Sequence, residues 1–475
     1  MLILNSLLFA TLTTVIALTL GIIAFIGMAP LSAKLRTAAL ILSATCLLMP
    51  SFLLAGSWWN LGMKMGLPIA SLPYGAGVLA LQLWPAITLV LLGFVRQLDP
   101  SLLEAATLML PTARIWTSII LRLLVPGAGV AALLVFILAL NNFVIPTTFQ
   151  TRVYIADVYV MFSSLYDTRR ALLQSIPLWI ISLAAFTWLA RISSRLETGR
   201  SNRQSANLSM PIVLPRDRTH IICLWITWMV FLFSLLPPLY HLLPQLASDD
   251  TWTTLRLALP QFAASLVYAG GGALLSTLTG LTLWCFLILK QQQGVRYRWT
   301  TAIQWVLATP FILSGFFLGI LLVQLGQWAV ALAWWQGTWL LGVVALAIRF
   351  TWIPFEMANV AQRRIHQDIL DAARLCKLPL SLSFRYIHWP VMRPSLLAAT
   401  WLVFLLALWD VETLLLVYPP GGEPASLKIF QFLHYGYDAQ VAVLSLGLLG
   451  MGLLPGLVLI MLWCKQNEDQ PSTCF

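Results

Sequence analysis

The chain has 475 residues, of which 60% are hydrophobic and only 9% charged, and its mean hydropathy is +0.86. A soluble domain carries about 25% charged residues, so this composition excludes a water-soluble globular protein and implies a polytopic membrane protein. The formal net charge of +11 does not point to nucleic acid, because the basic residues are spread over short loops between apolar runs.

The apolar runs are continuous instead of alternating, which excludes a membrane β-barrel and implies helices that each need about 20 apolar residues to cross. In chain order the expected spans are 7–28, 38–58, 75–95, 124–145, 171–190, 221–243, 262–289, 301–325, 338–355, 394–417 and 441–463. The expectation is therefore an all-α helical bundle of about eleven transmembrane helices. No basic stretch precedes the first run, which reads as a retained span and not as a signal peptide. Six scattered cysteines, Cys46, Cys223, Cys285, Cys376, Cys464 and Cys474, form no C-x-x-C pair and read as reduced.

Positively charged loops stay on the cytoplasmic side. With the loop after the third span inside, most Lys and Arg fall on that side, Arg349 among them, and only Lys64, Arg152, Arg169, Arg170, Arg256 and Lys428 face outward. The expected location is a bacterial inner membrane, with multiple passes, the N-terminus outside and the C-terminus cytoplasmic.

The chain also repeats itself. Ser6-Leu-Leu-Phe-Ala followed by Gly21 matches Ser265-Leu-Val-Tyr-Ala followed by Gly280, and Met49-Pro-Ser-Phe with Gly56 matches Thr309-Pro-Phe-Ile with Gly315. Leu134-Val-Phe-Ile-Leu-Ala-Leu then matches Leu402-Val-Phe-Leu-Leu-Ala-Leu, and Tyr166-Asp167 matches Tyr437-Asp438. Order is kept while the offset drifts from 259 to 271 residues, too long for a solenoid period. Matching spans lie an even number of crossings apart, so the reading is two parallel tandem repeats. In this reading residues 1–192 form the first repeat, whose leading helix is either lost or lies before residue 1; 193–219 form a cytoplasmic linker rich in Arg, Ser, Asn and Gln; 220–475 form the second.

Two loops carry the functional signal. After the third span, Asp99 can cap a short helix with Pro100 in its first turn and Glu104-Ala105-Ala106 in its middle. The equivalent loop of the second repeat holds Asp371-Ala372-Ala373. Such helices, apolar with one charge on a small-residue background, suit a groove on a soluble partner.

These residues resemble the integral-membrane subunits of binding-protein-dependent ABC importers, whose cytoplasmic loop carries E-A-A, a glycine four residues past the second alanine, and a later I-x-L-P. Glu104-Ala-Ala with Ile120, and Asp371-Ala-Ala with Ile387-His-Trp-Pro390, carry the resemblance. Leu110 and Lys377 stand where the glycine is expected, and Leu123 where the first closing proline would be. The likeness extends over nearly the whole chain and is similar in its fused halves to the ferric-iron and thiamine importers. It implies a type I importer permease that forms the translocation pathway, with Glu104, Ala105, Ala106, Leu110, Asp371, Ala372, Ala373 and Lys377 coupling to an ATP-binding subunit in two copies. It also implies a separate extracytoplasmic binding protein touching outer loops that offer Asp157, Asp167, Asp249, Asp250, Glu423 and Asp438.

No G-x-x-x-x-G-K-S/T occurs, so the chain is expected to bind no cofactor, with ATP used by its partners, and to be no enzyme. His220, His241, His366, His388 and His434 never fall at metal-ligand spacing, and no metal site is expected. Asp410 and Glu412 fall within the expected span 394–417, where ionisable groups suggest function, and Asn142, beside Asn141, aligns with Asp410. These four are candidates to line a substrate pathway; alternatively Asp410 and Glu412 sit near enough to the outer interface to be solvated or to bond a neighbouring helix. Trp58-Trp59 and Trp334-Trp335 read as interfacial belts. An ion-coupled secondary transporter with parallel repeats is the alternative, and a membrane scaffold without transport is a third class.

Overall fold

The structure, a computed structural model, describes residues 1–95, 100–111, 114–163, 168–198, 218–245, 251–292, 298–328, 335, 337–365, 367–376, 378–437 and 439–453. Every regular element among them is helical. By their contacts they form two compact units, Met1–Pro244 and Gln245–Phe475.

In the first unit, α1 (Leu2–Met28) lies along α4 (Leu72–Val95), which is buried along most of its length. The Thr88 hydroxyl donates to the Gly21 carbonyl at 3.0 Å, fixing the crossing. Between them, α2 (Ala33–Leu47) and α3 (Ser51–Lys64) are bent by 83° at a break whose last residue is Pro50. Proline cannot donate the backbone N–H a continuing helix needs, so the chain turns there. The short α5 (Pro100–Met109) leads to α6 (Ile115–Leu140), which opens on a π-helical turn over Ile115–Ile120. The chain then folds back through α7 (Val144–Thr148) and α8 (Tyr154–Ser163) before α9 (Thr168–Thr198). Buried Phe149, Val153, Ile155 and Val158 show that this return is packed protein, where the sequence reading placed an outer loop after the span 124–145.

The last helix of this unit, α10 (Arg218–Gln245), packs against α1 and α4. A side chain at Gly27 would lie 2.9 Å from the Leu224 backbone, so only glycine admits the approach. Ser234 Oγ donates to the Leu81 carbonyl at 3.0 Å and accepts from Trp84 Nε1 at 3.4 Å, while Phe231 meets the Trp84 ring edge-on. The contact boundary at Pro244 thus falls at the end of this helix, and the linker drawn from the sequence at 193–219 falls at its start. Residues 199–217 of that linker lie outside the described residues.

The second unit begins with α11 (Thr251–Leu257) and the long α12 (Leu259–Gln292). A bent pair follows, α13 (Arg298–Ile312) and α14 (Gly315–Trp328), turned by 104° at Leu313–Ser314. Then come α15 (Trp339–Phe350) and α16 (Trp352–Gln362), which together make one span, and the short α17 (Gln367–Leu375). The next span, α18 (Phe384–Leu408), again opens on a π-helical turn, Phe384–His388. The chain returns into the unit through α19 (Leu414–Val417) and α20 (Ala425–Tyr435), and the described part ends with the apolar helix α21 (Ala439–Leu453). Trp284, Phe355, Ala358, Ala361, Met392 and Leu396 build a buried core between α12, α16 and α18.

Among the described residues, 8 helices are long and apolar enough to cross a membrane, or up to 10 if each bent pair is one span. This is an all-α, multi-pass integral membrane protein. Of the expected runs, 38–58 and 301–325 are the two bent pairs, and 441–463 is described only as far as Leu453. The run expected at 394–417 begins ten residues earlier and stops at Leu408, because Arg385 and Arg393 hide its start from a hydropathy window.

Candidate functional site

Both units place a helix break against an unbroken helix, and the chemistry at the two corners differs. In the first unit, Gln82 of α4 is buried and donates through Nε2 to the Met49 carbonyl at 2.7 Å, an acceptor released by the α2–α3 break. Its Oε1 accepts from the Ser51 hydroxyl at 3.1 Å. Just past α6, the Asn142 side chain accepts from the Ile145 backbone N–H at 3.1 Å and caps α7. Asn141 instead donates to Ser182 of α9 at 3.0 Å, a link between neighbouring helices. All of these groups are neutral.

The second unit builds its corner from charge. Arg349 of α15 donates through Nη1 to Asp410 Oδ2 at 2.5 Å and to Thr413 Oγ1 at 2.6 Å, and through Nη2 to Glu412 Oε2 at 3.3 Å. Glu412 Oε2 also accepts the Gly315 N–H at 3.1 Å, placing a carboxylate at the positive N-terminal end of α14. Asp410 Oδ1 accepts the Thr413 N–H at 2.8 Å, closing the turn that leads into α19. Asp410 and Glu412 are 7% and 9% exposed, so one guanidinium and two carboxylates are held inside the protein. Burying charge is costly unless it is paired and hydrogen-bonded. Here the fork of Arg349 and the backbone donors at both breaks supply the bonds.

Two readings of the sequence change at this corner. Asp410 and Glu412 do not lie within a span; they follow the end of α18, in the break before α19. Arg349 is not in a cytoplasmic loop, because α15 and α16 continue to Gln362 and leave it near the middle of their span. The sequence carried a signal that would have found Arg349, since a lone arginine inside an apolar run needs a partner. Gln82, Ser314, Gly315 and Thr413 had no such signal.

The short helices α5 and α17 are further candidates, one in each unit. In α5, Ala105 is exposed and Ala106 buried, with Leu108 and Met109 almost wholly exposed and Leu110 half-buried. Glu104 lies in this helix, with its side chain outside the description. In α17, Asp371 and Ala372 are exposed and Ala373 half-buried, and Ile369 and Leu375 are exposed apolar residues. Lys377 lies outside the described residues. Each helix therefore exposes one alanine and large apolar side chains, carries an acidic residue in its sequence, and stands ahead of a span that opens on a π-helical turn.

Of the acidic residues expected to face outward, two are described. Asp157 lies on α8 and Glu423 pairs with Lys428 at 3.4 Å, while Asp167, Asp249, Asp250 and Asp438 fall outside the described residues. Among the described residues, no group of three or more His, Cys, Asp or Glu could hold a metal ion.

No family model matches the chain. No curated protein matches its sequence either.

Proposed function

We propose that the chain is the membrane-spanning permease of an ATP-driven, binding-protein-dependent importer in a bacterial inner membrane, built as two tandem repeats in one polypeptide. The observation that carries this reading is the pair α5 and α17. They are short amphipathic helices at corresponding places in the two units, carrying Glu104-Ala-Ala and Asp371-Ala-Ala and exposing apolar residues beside them. An exposed helix of this kind is suited to a groove on a soluble partner. An ATP-binding subunit under each helix would convert its own closure into movement of the membrane helices, giving alternating access. Fused halves favour ferric iron or thiamine as cargo.

Matching contacts support the duplication. Ser6 Oγ accepts the Tyr154 N–H at 2.8 Å, and Ser265 Oγ accepts the Ala425 N–H at the same distance. Asn142 accepts the Ile145 N–H as Asp410 accepts that of Thr413. Gly21 sits against the Trp84 carbonyl as Gly280 sits against that of Thr351.

The buried triad Arg349, Asp410 and Glu412 is the observation that favours the alternative, an ion-coupled secondary transporter. Affinity purification of the tagged chain from its own membranes in mild detergent decides between them. The importer predicts an ATP-binding protein at about two copies per chain, together with an extracytoplasmic binding protein when cargo is present. It also predicts loss of the ATP-binding protein when Glu104 and Asp371 are both replaced by arginine. A folded chain that purifies without any ATP-binding protein would move the assignment to the secondary transporter.

A further inference from the structure

Two of the breaks between helices in the second unit are Leu313–Ser314, between α13 and α14, and Trp409–Thr413, between α18 and α19. One side chain reaches both. Through Nη1, Arg349 holds Asp410 and Thr413 of the second break; through Nη2 it holds Glu412, whose same oxygen takes the Gly315 N–H of the first. A Cβ on residue 315 would collide with Arg349 Nη1 and lie 2.8 Å from the Thr413 nitrogen, so glycine is what lets the guanidinium seat against the helix start. Arg349 itself stands on the α15–α16 span, which runs without a bent break to Gln362, five residues before α17 begins.

We infer that Arg349 is a positioning residue that locks these two helix breaks to the α15–α16 span, and that Asp410 and Glu412 are charged to serve this lock and not to bind cargo. The neutral corner of the first unit is the physical argument. There the same kind of break is held by Gln82, and the following helix is capped by Asn142, with no charge at all. A corner of this geometry can therefore be closed by amides alone. The inference stands independently of which transporter class the chain belongs to.

The test uses the full-length chain in detergent and two readouts. One is the melting temperature. The other is the distribution of distances between spin labels at Ala302→Cys and Gln327→Cys, exposed positions at the outer ends of the bent pair, in an otherwise cysteine-free chain. Arg349→Gln and Arg349→Met each remove the cation that Asp410 and Glu412 share. Both are expected to lower the melting temperature by about 10 °C and to broaden a narrow distance distribution. The triple variant Arg349→Gln, Asp410→Asn, Glu412→Gln is expected to recover the narrow distribution and most of the melting temperature. If the single variants prevent folding, the triple variant alone carries the test. A triple variant that stays broad, or an Arg349→Met variant that stays narrow and stable, overturns the inference. So does a triple variant that folds with a narrow distribution but no longer binds or moves a cargo that the parent chain takes.

Discussion

The two corners solve one problem with different chemistry. A bend of 83° in the first unit and of 104° in the second each strand backbone groups where water is scarce. Gln82 answers with two neutral hydrogen bonds, whereas Arg349 answers with an ion network that ties two breaks together. The neutral corner costs little to bury. The ionic one costs much to bury and more to break, because any single deletion leaves a charge without its partner. Charge here gives reach and direction, since one guanidinium fork engages three side chains at once.

Breaking the ionic corner should have the largest effect on stability. Arg349→Gln is expected to cost about 3–5 kcal/mol, read as the shift in the unfolding transition of the purified chain, with Asp410→Asn and Glu412→Gln each costing less. Gly315→Ala comes next, at about 1–3 kcal/mol from overpacking against Arg349 and Thr413. Its cost should shrink when Arg349 is already glutamine, because the two residues share a contact, and a double-mutant cycle measures that coupling. In the first unit, Gln82→Leu should cost about 1–3 kcal/mol by leaving the Met49 carbonyl unpaired. A cost equal to that of Arg349→Gln would erase the distinction between the corners. The smallest effects should be those of Ser6→Ala and Ser265→Ala, about 1 kcal/mol each. They should also be the most alike, since each removes one 2.8 Å bond from a backbone N–H.

Much of the fold was readable from composition. Spans such as Leu2–Met28 and Leu72–Val95 are long apolar runs, and a window average finds them because crossing a membrane demands length and hydrophobicity. The same average is blind to direction. An 83° turn at Pro50 leaves the mean hydropathy of 38–58 unchanged, so two bent pairs read as straight spans. The site was half legible for a related reason. Asp410, Glu412 and Asn142 stood out as polar residues in apolar surroundings, but Arg349 was absorbed into the count of loop charges. Its span was drawn to end at 355, when α16 in fact runs to Gln362. The pairing of Pro50 with Pro310 was a local match of sequence. The second break falls at Leu313–Ser314, beyond that proline.

The central claim is that α5 and α17 are the two contacts with an ATP-driven partner, and crosslinking tests it most directly. Cysteines placed singly at Ala105 and at Ala372, both exposed, in an otherwise cysteine-free chain would be crosslinked in native membranes with a short bifunctional maleimide. The account predicts that both positions capture the same ATP-binding subunit, and that a cysteine at the exposed Val160 on α8 does not. Capture of no ATP-binding protein from either alanine position, in membranes where the chain is folded, would contradict it.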